Sequence, residues 1–209
     1  MCFNTYKDRG DLMIIKRENI EEIINELRAG NVCAIPTDTV YGVASIIEDE
    51  AVQKLFELKQ REQKPIAVLA ANVEQFHQVA SAVSDDALKL AEAFLPGALT
   101  MIMPKKQGLS DILTQGYPSV GVRIPDDETT LKILEEVGPL AVTSANISGE
   151  EPINDVEGLE QKFPHIMILE GEVKISIPST VVAIDGGVKV LREGPISKEE
   201  IEKVLKSNK

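Results

Sequence analysis

Short apolar runs alternate with stretches of helical spacing along this chain, and that alternation limits its fold more than any other feature. Leu12–Ile15, Val32–Ile35, Ile66–Ala70, Leu99–Pro104, Ser119–Pro125, Pro139–Val142, Ile166–Leu169 and Pro178–Ile184 have the length and the content of strands. Between them, Ile20, Ile23, Ile24 and Leu27 recur at the spacing of one helix face, as do Val52, Leu55, Phe56 and Leu58. Residues 72–81, 84–94 and 126–137 read as further helices. Asn19, Asp49, Ser84 and either Asn154 or Asp155 stand where N-caps belong, and Gly30 is placed to end the first helix. Ser197 with Glu200 predicts a capping box for a last helix carrying Ile201, Val204 and Leu205. Asp185-Gly186-Gly187 predicts a hairpin joining its strand to Val188–Leu191. Residues 105–118 show little periodicity and contain Gly108, Gly116 and Pro118, so they read as a long loop. Helices alternating with strands, plus a hairpin, predict an α/β fold with a mixed sheet.

The polar residues gather at the margins of these apolar runs. After Val32–Ile35 the chain reads Pro36-Thr37-Asp38-Thr39-Val40-Tyr41-Gly42. Pro36 cannot donate to a ladder and so ends the strand. The cluster is either a turn held by hydroxyl-to-backbone bonds or a ligand site at a strand end. Strand 139–142 runs into a similar burst, Thr143-Ser144-Ala145-Asn146-Ile147-Ser148-Gly149. Lys59-Gln60-Arg61-Glu62-Gln63-Lys64-Pro65 places three cations before an apolar strand. If extended, Lys59 and Arg61 share a side and could clamp a polyphosphate; the alternative is a solvated helix end. Ser119, Gly121 and Arg123 fall on one face of their strand, where Arg123 must pair with an acid or face an anionic ligand.

A chain of 209 residues with net charge −12 suits a single domain without a broad nucleic-acid footprint. We expect a leader over 1–12 and one domain over 13–209. Trp is absent and aromatics are 4%, which disfavours base-stacking platforms. Cys2 and Cys33 give no disulfide framework, and His77 and His165 are too far apart in sequence for a zinc site. No apolar run approaches the roughly 18–20 residues that span a bilayer. The N-terminus lacks a secretion signal, so the expected location is the cytoplasm, with no membrane partner. There is no Ser-His or Cys-His pairing, no phosphate-binding G-x-x-x-x-G-K-[ST] loop and no G-x-G-x-x-G turn. Cations and hydroxyls without a nucleophile point to phosphate chemistry by positioning and charge neutralisation, hence to a nucleotide-using enzyme.

Taken together, Pro36–Gly42, Lys59-x-Arg61, Ser144–Gly149 and Pro178-Ser179-Thr180-Val181-Val182 resemble, in order, the motifs of the YrdC/Sua5 family. The resemblance runs from Met13 to about Pro195. It implies a twisted open α/β sheet flanked by helices, and the activity of a threonylcarbamoyl-AMP synthase of the short, single-domain form. Such enzymes are nucleotidyltransferases that join L-threonine, bicarbonate and ATP, and a partner complex passes the threonylcarbamoyl group to adenosine 37 of tRNA. By position, the resemblance assigns threonine to Thr37, Arg123, Ser144 and Ser179. It assigns ATP to Arg61, Lys64, Ser119, Asn146, Asn154 and Arg192, and catalysis to Lys59 and Arg61. Mg²⁺ is expected with ATP, with no dedicated protein metal site. The chain departs from the pattern in two places. Glu62 follows Arg61 where the family commonly has Pro, and Leu69 or a neighbour replaces a histidine. Two other readings compete with the synthase: an RNA-binding or ribosome-associated module using the same concave surface, and a paralogue that forms carbamoyl-adenylate.

Overall fold

The computed structural model describes residues 13–60 and 64–207. It begins with β1 (Ile14–Ile15), a 3₁₀ turn over Arg17–Asn19, α1 (Ile20–Arg28), β2 (Cys33–Ile35), β3 (Gly42–Ile46) and α2 (Asp49–Lys59). β4 (Ala67–Leu69), α3 (Val73–Val79), α4 (Asp85–Phe94), β5 (Leu99–Pro104), α5 (Asp111–Thr114) and β6 (Ser119–Arg123) follow. The chain continues through α6 (Glu128–Val137), β7 (Leu140–Ser144), α7 (Val156–Lys162), β8 (Met167–Leu169), β9 (Thr180–Ile184), β10 (Val188–Arg192) and α8 (Lys198–Lys206).

The strands form one ten-stranded sheet in the order β1-β8-β2-β3-β7-β4-β6-β5-β9-β10. It is mixed, as expected: β8 runs parallel to β1 and β2, while β3 is antiparallel to β2 and β7. β4 and β6 are parallel, as are β5 and β9, and β9–β10 is the hairpin. At one edge β1 has two described residues; at the other, the register of β10 slips between Val190 and Arg192.

Side chains alternate between the two faces of the sheet. Ala34, Val43, Val68, Met101, Val122, Ala141 and Val182 enter the larger core. Residues from α2, α3, α4, α5, α7 and α8 complete that core. Cys33, Ile35, Ala44, Leu69, Leu140 and Val142 turn to the other face, where α1 and α6 contribute Ile23, Ile24, Leu27, Ile133 and Leu134. These two helices cover only part of that face.

Several local expectations change. Asn19 makes no side-chain cap, because the 3₁₀ turn precedes α1 and holds Asn19 outside the extended N-cap geometry. Asp49 is the first residue of α2, not its cap, and its carboxylate accepts from the Ser110 hydroxyl. Gly30 does close α1, with φ of +75°. Residues 105–118 are not loop throughout: Ser110 caps α5 by accepting from Leu113 N–H at 3.2 Å. The capping box of Ser197 and Glu200 is present, and Asp155 rather than Asn154 caps α7. The proposed leader, 1–12, lies outside the described residues.

Candidate functional site

On the partly covered face, a cavity of about 350 Å³ opens over the middle of the sheet. Its floor is made of alternate residues from adjacent strands: Ala67 and Leu69 of β4, Thr100 and Ile102 of β5, and Ser119, Gly121 and Arg123 of β6. The face shared by Ser119, Gly121 and Arg123 is therefore the cavity face. A Cβ on Gly121 would lie 3.3 Å from Thr100 Cγ2 and 3.6 Å from Ala67 Cβ. One on Gly42 would meet Val142 Cγ1 at 2.5 Å, so β3 and β7 close together only because that position is glycine.

One wall is the stretch after Pro36. It connects the antiparallel pair β2 and β3, and its hydroxyls make a turn that faces the cavity. Thr37 Oγ1 donates to Val40 O at 2.6 Å and accepts from the N–H groups of Thr39 and Val40 at 3.2 and 3.3 Å. Thr39 Oγ1 lies 3.1 Å from Thr37 Oγ1 and accepts from Arg123 Nη1 at 2.6 Å. Arg123 also donates through Nη2 to Asp38 Oδ1 and through Nε to Gly97 O at 2.8 Å. Arg123 and Asp38 are 5% and 2% exposed, so this is a buried ion pair at the edge of the cavity. Burial pushes the guanidinium below its ordinary value, and the Asp38 charge opposes that.

The opposite wall gathers around Ser179. Its hydroxyl pairs with Thr100 Oγ1 at 2.8 Å, and its carbonyl accepts from Arg192 Nη2 and Nε at 2.8 and 3.1 Å. Partial burial also lowers the Arg192 pKa. Since Asp38 compensates Arg123, Arg192 supplies the uncompensated positive charge among the described cavity-lining residues.

Of the residues assigned to ligands, Thr37, Ser119, Arg123, Ser144, Ser179 and Arg192 line the cavity. Lys59, Lys64, Asn146 and Asn154 do not line it. Lys59 is 1% exposed at the end of α2, and Gln60 then turns left-handed at φ of 47°. The junction is therefore not extended at its start. Lys59 Nζ instead donates to Ser144 O and to Asn146 Oδ1, the latter at 3.1 Å, bracing the segment that follows β7. Asn146 accepts from the Ser144 hydroxyl at 2.6 Å and donates to Ile147 O and Glu150 O at 2.9 and 2.7 Å. Asn154 Oδ1 accepts from Tyr41 N–H at 3.1 Å. Arg61 lies outside the described residues.

Tyr41 is wholly buried and shares its one hydroxyl hydrogen between Leu169 O and Gly171 O, at 2.9 and 3.1 Å. Burial raises its pKa, so it fastens β3 to the end of β8 rather than reacting. The assignments missed Thr39, Thr100 and Thr143. Thr100 had a signal: it alternates with apolar Leu99 and Met101 and shares parity with Ile102. Leu69, at or beside the position of the expected histidine, forms part of the apolar floor.

The donors suit a small ligand with a carboxylate or phosphate and several hydroxyl-bonding atoms. No group of three His, Cys, Asp or Glu side chains among the described residues could hold a metal. No helix among them is long and apolar enough to cross a membrane.

Comparison with known proteins gives the geometry its relatives. The threonylcarbamoyl-AMP synthase of Pyrococcus abyssi is 35% identical over 206 residues, 93% of this chain. The chain spans 61% of that relative's length. The synthase of Bos taurus is 33% identical over 190 residues, covering 85% of this chain and 68% of the relative. The crystal structure of P. abyssi Sua5 complexed with L-threonine superposes with a TM-score of 0.87 at 32% identity, over 92% of this chain and 61% of that one. The Sua5/YciO/YrdC family model, described as telomere recombination, matches residues 25–194, and the chain belongs to that family.

Proposed function

We propose that the chain is a threonylcarbamoyl-AMP synthase, converting L-threonine, bicarbonate and ATP to L-threonylcarbamoyladenylate and pyrophosphate. The observation that carries this reading is Arg123, which faces a hydroxyl-lined cavity with one uncommitted N–H on each terminal nitrogen. That suits the carboxylate of an amino acid. A volume of about 350 Å³ is near the lower end of the roughly 300–1,000 Å³ typical of small-molecule sites. It fits threonine and its carbamate, while the nucleotide would extend across the rim past Ser119 and Arg192.

In this reading the threonine amine takes up CO₂ with loss of a proton, or bicarbonate with loss of water, to give a carbamate. A carbamate oxygen then attacks the α-phosphorus of ATP, and pyrophosphate leaves. No side chain need act as nucleophile, in keeping with described cavity-lining residues whose polar side chains are hydroxyls and guanidinium groups. Arg192 would neutralise developing phosphate charge. Arg61 and Lys64 would join it on the phosphates. Lys59, Asn146 and Asn154 would act through the segments they brace. Mg²⁺ would arrive on the phosphates of ATP, because the buried carboxylate beside the cavity, Asp38, is already committed to Arg123. The product would go to a transfer complex acting on adenosine 37 of tRNA in the cytoplasm.

Pyrophosphate release from Mg-ATP, with threonine and bicarbonate omitted in turn, tests the proposal. Release that requires both is expected. Release without threonine would favour the carbamoyl-adenylate paralogue. No release, together with retention of RNA on a filter, would favour the RNA-binding module.

A further inference from the structure

We infer that Thr39 and Asp38 are positioning residues that lock the Arg123 guanidinium from two sides, and that Thr37 acts through Thr39. The directions of the hydrogen bonds carry this. Thr37 has one hydroxyl hydrogen, and at 2.6 Å Val40 O takes it. The 3.1 Å contact between the two threonine hydroxyls then has Thr39 as its donor, sharing the Thr37 lone pairs with the N–H groups of Thr39 and Val40. Since Thr39 spends its hydrogen there, it meets Arg123 only as an acceptor, at 2.6 Å. The bonds therefore run one way, from Arg123 Nη1 to Thr39 to Thr37 to the carbonyl of Val40. Reversing one link would leave a buried donor unpaired, since Thr37 and Thr39 are 3% and 0% exposed.

Asp38 closes the other side. Its Oδ1 accepts from Arg123 Nη2 and from Asp126 N–H at 3.0 Å, while its backbone carbonyl accepts from Ile175 N–H at 2.9 Å. Its Oδ2 is buried and has no partner among the described residues. Leaving that oxygen unsatisfied is unfavourable for a residue that merely braces backbone, and a carboxylate is needed here for its charge against Arg123. With Nε on Gly97 O, three of the five N–H groups are committed in fixed directions. One N–H remains on each terminal nitrogen, matching the two oxygens of a carboxylate. The threonine arm of the test below rests on the proposed synthase reading; the arginine arm does not.

The test compares the full chain with Thr39→Val, Thr39→Ser and Asp38→Asn, each checked for folding by circular dichroism. Nitrogen-15 NMR of the Arg123 side chain should show hindered rotation, with separate Nη signals, in the parent and in Thr39→Ser. Those signals should average in Thr39→Val. If Thr39→Val fails to fold, Asp38→Asn carries the same expectation of averaged signals. Calorimetric titration with L-threonine should show affinity reduced about tenfold or more in Thr39→Val. The serine should restore it, and ATP affinity should be unchanged. An Arg123 that rotates freely in the parent, or remains hindered in the folded variant, overturns the inference. So does an equal loss of threonine and ATP affinity. Hindered rotation lost in Thr39→Val, in a parent that binds no threonine, upholds the positioning roles and sinks the synthase reading.

Discussion

The two parts of the cavity-bearing sheet face are built on opposite plans. Under α1 and α6, the sheet presents Cys33, Ile35, Ala44 and Leu140, all buried against Ile23, Ile24, Leu27, Ile133 and Leu134. Across β4, β6, β5 and β9 the same face presents Ala67, Gly121, Thr100 and Val181, together with Arg123 and hydroxyls. The opposite face does not change in this way: Val68, Val122, Met101 and Val182 enter the larger core from those same four strands. Burial on one side is enough to hold these strands, so their other side can be small, polar and open. The cavity is the part of the sheet from which helix cover is withheld. Loops make its walls; the strands make its floor.

Four substitutions test that contrast. The largest effect is expected where charge is buried beside the uncovered part. Arg123→Met leaves the Asp38 carboxylate in the interior with only the Asp126 N–H, and should cost about 4 kcal/mol in urea unfolding. Adding Asp38→Leu should recover much of that stability without restoring threonine binding. Under the helices, Ile24→Ala removes a fully buried side chain and should cost about 3 kcal/mol, with threonine affinity unchanged in the folded protein. If affinity fell with stability, the two parts would not be separable. The smallest change in stability is expected from Gly121→Val on the cavity floor. A Cβ there already lies 3.3 Å from Thr100 Cγ2, so the neighbour must shift and unfolding should cost about 1 kcal/mol, while threonine binding is lost to steric filling. An unfolded Gly121→Val would show that the open face is needed for packing.

How much of this could be read beforehand depends on the range of the physics. Local features were legible. The alternation of β6 identified the cavity face, and the Ser197–Glu200 box and the Gly30 terminus need only neighbours in sequence. The hydroxyl stretches were legible as clusters, because Pro36 and the abrupt change of polarity are local signals. Long-range commitments were not. Lys59 looks like an exposed helix-end cation until Ser144 and Asn146 are brought to it by β7. Asn154 looks like a cap or a ligand, but β3 places the Tyr41 N–H against it. For Arg123 the sequence left an ion pair or an anion site open; the fold supplies the pair and leaves two N–H groups for an anion.

The edges of the sheet bear on how the molecule behaves in a crowded solution. A long sheet with flat, regular ends invites further strands from other copies, the usual route to aggregates. Here β1 offers two described residues of pairing, and β10 carries a register slip beside exposed Lys189 and Arg192. Neither edge presents the straight, uncharged ladder on which another chain could grow. Ten strands can therefore lie in a single layer with both described ends discouraging recruitment of neighbours.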